Sequence, residues 1–254
     1  FSAGQPQQGV SYADALTQLL DIQDPGTVAA VIVEPVTGSG GVYPPPLGYL
    51  QRLREICTRH GVLLIFDEVI TGFGRVGASF AAQAFGVTPD LITTAKGLTN
   101  GAVPMGGVLV SGAVYEAFMA GPPNVIELMH GYTYSAHPLA CAAGLATIEV
   151  HRELGINEHV NAVSGLWQSA ALALQGVGPV LDVRAIGLLC AVELEPRPGA
   201  GGARGSEVAQ WCFEHGVLVR GSGDTIVISP PLVISPQEIA QVFDTLAGAL
   251  NQVA

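Results

Sequence analysis

The chain has 254 residues, 49% of them hydrophobic and only 12% charged, with a formal net charge of −11. That balance excludes a disordered chain, and ten Lys and Arg in total supply no basic patch for a nucleic acid or an anionic membrane. No apolar run approaches a membrane span, no secretory signal is expected, and the apolar excess implies faces buried against something outside this chain.

The opening FSAGQPQQGV lacks an initiator Met and reads as a mid-protein loop. Ser11 with Asp14 resembles a capping box, and Leu16, Leu19 and Leu20 follow at helical spacing until DPGT at 24–27 ends the helix. VAAVIVEP reads as a buried strand, and TGSGGVYPPP as a loop. Leu50, Leu53 and Cys57 mark an amphipathic helix that closes with Arg59, His60 and Gly61. VLLIFDEV is the next strand, and PDLITTAKG and MGGVLVSG continue the strand-like pattern. Strand, helix and strand, with nearly continuous apolar strands, predict an α/β fold with a mainly parallel sheet covered on both faces.

After about residue 138 the texture changes. PLACAAGLATIEVHREL predicts a long helix, VLDVRAIGLLCAVELE a strand pattern, PRPGAGGARG a flexible turn and SEVAQWCFEHG a helix. VLVRGSGDTIVISPP predicts a strand, a tight turn and a strand. The last helix opens on Ser235, Pro236 and Glu238 and buries a stripe of Ile239, Val242, Phe243, Leu246 and Leu250. Two parts are expected: residues 1–137 as a large domain and 138–254 as a connecting helix with a smaller α/β domain.

Three residues that can carry chemistry, Glu34, Asp67 and Lys96, each fall at the carboxyl end of a predicted strand, where sheets of this type bind ligands. A carboxylate such as Asp67 after an apolar strand needs a partner; a helix cap or an ion pair with Arg75 would serve, and so would a protonated heterocycle. Lys96 beside LITTA is either a snorkelling strand-edge lysine or a desolvated amine able to condense with an aldehyde. An acid on one strand end and a lysine on a nearby one are the groups that pyridoxal 5'-phosphate requires. Val69, two positions past Asp67, would share its face and pack on the ring if the strand continues. Cys57, Cys141, Cys190 and Cys212 form no C-x-x-C pair, and His130 and His137 are too far apart for one helical turn, so no metal is expected and the cytoplasm is the default.

VIVEPVTGSGG, LIFDEVITGFGR, TTAKGLTNGAVPMGGV and HGYTYSAHPLACAAGLA, in that order, resemble the signatures of class III, pyridoxal-phosphate-dependent aminotransferases. The resemblance runs the length of the chain and is closest to the ω-amino acid–pyruvate and amine–pyruvate transaminase branch. It implies a fold type I aminotransferase, with residues 1–137 as the second half of the cofactor domain. Lys96 would hold the cofactor covalently and, once freed, move the substrate proton. Asp67 would pair with the ring nitrogen and Val69 would pack on the ring. Thr133 would bind the cofactor phosphate of a neighbouring subunit, Tyr132 would line that neighbouring pocket, and the enzyme would be a homodimer or larger. Arg220 would bind the keto-acid carboxylate, and Glu34 would orient groups near the cofactor without reacting. Relatives that use 2-oxoglutarate carry a glutamate where this chain has Ser39, which points to pyruvate as acceptor and alanine as product.

Thr133 as a helix-entry cap and Arg220 as a surface ion pair are the structural alternatives. The resemblance also implies that relatives begin well upstream, so this chain alone is not expected to be a complete enzyme. Two other readings stand beside transamination of an amine or ω-amino acid: a decarboxylase or aminomutase of the same family, and a non-catalytic assembly module.

Overall fold

The computed structural model describes residues 2–253. A two-residue strand, β1 (Ser2–Ala3), comes first, and a 3-10 turn at Val10–Ala13 leads into helix α1 (Asp14–Gln23). The expected capping box at Ser11 does not form. The 3-10 turn places Ser11 upstream of the helix start, and the Ser11 carbonyl, not its hydroxyl, receives the Asp14 N–H. The cap of α1 is Ala13, with no side-chain hydrogen bond. Leu20 is buried and Leu16 half-buried, whereas Leu19 is exposed.

Strand β2 (Ala30–Val33), helix α2 (Tyr49–His60) and strand β3 (Leu63–Asp67) form the predicted parallel unit. In α2 the buried residues are Leu50, Leu53, Ile56 and Cys57, one stripe at helical spacing. Gly61 closes the helix in the left-handed conformation, and Val62 N–H returns to the Cys57 carbonyl. A short helix α3 (Ala81–Ala84) precedes strand β4 (Leu91–Thr94), which adds parallel to β3, while β5 (Gly107–Val110) pairs antiparallel to β4. The first sheet therefore runs β2-β3-β4-β5 and is parallel except at its β5 edge.

Helix α4 (Gly112–Met119), a segment at 120–137 without helix or strand, and helices α5 (Pro138–Glu153) and α6 (Ile156–Leu172) lead to the second sheet. Strands β6 (Val180–Ile186) and β7 (Leu189–Leu194) form a hairpin, so the strand pattern read across 180–195 is two strands folded at Gly187 and Leu188. Helix α7 (Ala203–Glu214), strands β8 (Arg220–Ser222) and β9 (Thr225–Ile228), and helix α8 (Pro236–Gln252) complete the chain. The order is β1-β6-β7-β9-β8, with β1 parallel to β6 and every other pair antiparallel.

Helices α6 and α7 pack on this second sheet, and α8 packs against both of them. Trp167 is fully buried, its ring 4.8 Å edge-on from Phe243, and its indole N–H donates to the Leu189 carbonyl at 3.3 Å. The capping box of α8 forms as read: Ser235 Oγ accepts from Glu238 N–H, and Ser235 N–H donates to the Glu238 carboxylate. A third apolar group joins the sheets, with Val36 and Val42 from the loop after β2 packing on Ile186, Leu189 and Ala191.

Elsewhere apolar surface is open. Val108, Leu109 and Val110 on β5, Tyr115 and Phe118 on α4, and Leu139, Leu145 and Ile148 on α5 are all exposed. Ile32, read as part of a strand covered on both faces, is exposed as well, since nothing among the described residues packs on it. No helix among the described residues is long and apolar enough to cross a membrane.

Candidate functional site

Parallel pairing fixes which chain segments meet. The partners Val33–Phe66 and Asp67–Thr93 put the carboxyl ends of β2, β3 and β4 at one edge of the first sheet. Glu34 follows β2, Asp67 ends β3, and Lys96 lies two residues past β4, so the three stand along that edge. Between this edge and strands β8–β9 opens a cavity of about 830 Å³, bordered by Val69, Lys96, Ser39 and Arg220. Asp67, Tyr132 and Thr133 do not border it.

Lys96 sits at φ +41°, a backbone region that a residue with a side chain rarely occupies. A 3-10 turn at Lys96–Leu98 holds it, and its carbonyl accepts N–H groups from Thr99 and Gly101, both at 3.3 Å. Gly97 explains the tightness. A Cβ there would lie 2.8 Å from Cβ of Phe73, itself at φ +60°, so no other residue lets these two turns approach. Strain of this kind gathers where a structure over-determines a functional side chain. The sequence leaves a snorkelling and a desolvated lysine both open; Lys96 is exposed, because among the described residues its side of the cavity is open.

Asp67 is half-buried, and its Oδ1 accepts from Val69 N–H at 3.1 Å. Its other oxygen makes no hydrogen bond among the described residues. The ion pair with Arg75 considered from sequence does not form. The chain turns through Gly72, Phe73 and Gly74 and carries Arg75 towards the β6–β7 hairpin, where it donates to the carbonyls of Leu188 and Pro230. Glu68, the next residue, is fully buried and occupied: it accepts from Ala81 and Ala82 N–H at the start of α3 and from the Thr71 hydroxyl. Burial pushes its carboxyl above the usual range, and the three donors oppose that rise.

Glu34 accepts from Gly38 N–H at 2.9 Å and fixes the start of the loop that brings Ser39 to the cavity. Arg220 is exposed on β8, and its register partner Val227 also borders the cavity. The ion pair weighed for Arg220 is not found among the described residues. Tyr132 and Thr133 are exposed in the irregular segment, where Tyr132 N–H donates to Ser135 Oγ at 2.8 Å. Thr133 does not cap α5; His137 does, its ring nitrogen accepting from Leu139 N–H.

Sequence reasoning gave no cavity role to Arg75, Phe73 or His151, all of which border the space. An arginine placed among glycines in GFGR was the available signal for the first two. His151 stands edge-on to Phe73 at 6.3 Å, and burial lowers its pKa. Burial also lowers the Arg75 guanidinium, to about 10. Three of the ten Lys and Arg of this acidic chain (Lys96, Arg75 and Arg220) border one cavity, and no Asp or Glu among the described residues does. Such a space concentrates anions.

A class III aminotransferase family model matches residues 4–250, and the chain belongs to that family. It is 56% identical over 250 residues to an omega-aminotransferase of Caulobacter vibrioides, covering 98% of this chain and 57% of that protein. It is 46% identical to a β-alanine–pyruvate aminotransferase of Pseudomonas aeruginosa, covering 100% of this chain and 57% of that one. An amine transaminase from an uncultivated Pseudomonas species, solved with pyridoxal phosphate bound, superposes with a TM-score of 0.90 at 35% identity, covering 96% of this chain and 57% of its own. The fold is thus that of the second part of a fold type I aminotransferase, and the chain spans about 57% of the length of these curated relatives.

Proposed function

We propose that this chain is part of a pyridoxal-phosphate-dependent transaminase that moves an amino group from an ω-amino acid or primary amine to pyruvate, giving alanine. The observation that carries the reading is that Asp67 and Lys96 stand at the ends of adjacent parallel strands, with Lys96 bordering a cationic cavity that no described carboxylate lines. The residues present fit the cofactor. Lys96 offers an amine on a strained turn, Val69 an apolar wall, and Asp67 a carboxylate with one oxygen unengaged among the described residues. When bound, pyridoxal phosphate supplies an aldehyde to hold the amine and a cationic ring to take up electrons.

Asp67, whose Oδ1 accepts from Val69 N–H, would hold the cofactor's ring nitrogen in its protonated form. Lys96 Nζ would hold the cofactor and serve as the base that takes the proton from the substrate carbon. Arg220 holds the keto-acid carboxylate, and Ser39, uncharged, leaves that arginine free to move between a carboxylate and an uncharged substrate end. Glu34 orients the Gly38–Ser39 turn and does not react.

Residues 1–137 act as the second half of the cofactor domain, and 138–254 as the connecting helix and small domain. Tyr132 and Thr133 stand outside this chain's cavity and serve the site of a second subunit, Thr133 binding phosphate. The exposed apolar surfaces of β5, α4 and α5 support a homodimer, working in the cytoplasm. The names of the relatives favour transamination over decarboxylation, amino-group migration within one substrate, or a purely structural module.

Lys96→Ala tests the reading. The parent protein should show a visible cofactor band that borohydride fixes on Lys96, and the variant should show neither, with alanine formation from pyruvate lost. Labelling at any other residue, or amine consumed without an equal amount of alanine, defeats it.

A further inference from the structure

Arg75 is not used by the proposed chemistry, yet it touches both walls of the cavity. It lies in the loop after β3, eight residues past Asp67, and borders the space itself. Its carbonyl accepts Leu188 N–H at 3.1 Å, and its Nη1 donates to the Leu188 carbonyl at 3.4 Å and to the Pro230 carbonyl at 2.5 Å. Leu188 is the turn of the β6–β7 hairpin, and Pro230 follows β9, the strand whose Val227 pairs with Arg220. At Gly187, φ +54°, an added Cβ would sit 2.4 Å from the Arg75 carbonyl oxygen, so the two backbones are in direct contact. No carboxylate among the described residues lies within ion-pair distance of this guanidinium, so its nearest acceptors are the two carbonyls. Both bonds leave one nitrogen, Nη1, whose two N–H groups are fixed in the guanidinium plane, whereas an ammonium on a flexible stem has no such fixed plane.

We infer that Arg75 is a positioning residue: by bridging the loop after β3 to the hairpin turn and to the segment after β9, it sets how far the Arg220 strand stands from the wall that carries Lys96. The inference rests on the keto-acid role proposed for Arg220. Arg75 itself contacts no substrate in this scheme; it fixes the width of the carboxylate pocket. Removing the guanidinium lets β8–β9 drift, and Arg220 then meets the keto acid at the wrong distance. The amine half-reaction, which needs Lys96 and Asp67 but not Arg220, is spared.

Two variants test this, Arg75→Met, which keeps the stem and loses the donors, and Arg75→Lys, which keeps the charge and loses the planar guanidinium. In the cofactor-loaded protein, Arg75→Met should raise the pyruvate KM about tenfold, the scale of one misplaced hydrogen bond, with kcat and the amine KM held. Arg75→Lys should fall between Met and the parent. A second readout needs neither cofactor nor activity. Spin labels at Thr88→Cys and Ser222→Cys, with the half-buried Cys141 replaced by Ser, report the separation of β8 from the start of β4. That distance should be single and narrow in the parent and broadened in Arg75→Met, or in Arg75→Lys if the Met variant does not fold. An unchanged distance, or equal loss in both half-reactions, overturns the inference. If the parent fails to bind pyridoxal phosphate at Lys96 while the distance still broadens, the proposed function falls and the bridging role of Arg75 stands.

Discussion

Asp67 and Glu68 are neighbours with opposite duties. Glu68 is fully buried and accepts three hydrogen bonds, two from the start of α3 and one from Thr71, whereas Asp67 accepts one, from Val69 N–H. Alternation along an extended chain turns the two carboxylates to opposite sides. Their conservative variants should therefore separate. Glu68→Ala strands two backbone donors and a hydroxyl, and thermal or urea unfolding should show a loss of about 3 kcal/mol. Asp67→Asn should unfold within about 1 kcal/mol of the parent yet cut transamination at least about a hundredfold. A large stability loss at Asp67 would mean that its role is structural.

Gly187 offers a second separation, because the cost there is steric and not chemical. Its positive φ and the 2.4 Å approach to the Arg75 carbonyl leave no room for a methyl group. Gly187→Ala should lower stability by about 2 kcal/mol or more, read as a shift of the urea midpoint at constant slope.

Ser39 and Arg220 both border the cavity, which no described carboxylate lines. Ser39→Glu should place an acid within reach of Arg220 and compete with the keto acid. Steady-state kinetics should show the pyruvate KM raised about tenfold, the scale of one charge-assisted hydrogen bond, with the amine KM little changed. An unchanged pyruvate KM would remove Arg220 from the carboxylate pocket.

Asp224 gives a pH signature. Its carboxylate accepts from Gly202 N–H at 2.6 Å and Gly205 N–H at 3.0 Å at the start of α7. The Gly202 bond foremost, with help from the Gly205 bond, holds its pKa below the ordinary carboxylate value against the opposing effect of burial. A depressed folded pKa contributes stability that is fully present above the unfolded value and is lost as pH falls through the folded one. Asp224→Asn should cost about 1 kcal/mol at neutral pH, as other lost helix caps do. The gap between variant and parent should close below about pH 4, near the unfolded carboxylate value. A gap that persists at pH 2 would trace the effect to packing.

Local signals carried much of this fold. The α2 stripe with Gly61 behind it and the Ser235–Glu238 box are decided by residues a turn apart, and both formed as read. The strand-end positions of Asp67 and Lys96 follow from apolar runs that stop at a charge. Ser11 misled because a capping pattern is silent about a 3-10 turn upstream of the helix. Helix α6, with Ile156, Val160, Val163, Trp167 and Ala171 buried at helical spacing, was legible but begins on Gly155 without a capping side chain, and it drew no assignment. The bridge made by Arg75 was out of reach, since Leu188 and Pro230 are more than a hundred positions away and offer only carbonyls. The run LITTA left Lys96 open between exposure and desolvation, because burial depends on what surrounds the cavity.

The pairing of β1 with β6 has a consequence for the order of events in folding. Ser2 and Ala3 align with Arg184 and Ala185, so the earliest residues of this segment find their place only after the β6–β7 hairpin exists. On a ribosome, that strand waits while most of the segment is made, and its edge of the second sheet stays bare until then. Closing that edge is a long-distance reunion, which makes the start of this segment a late arrival in assembly.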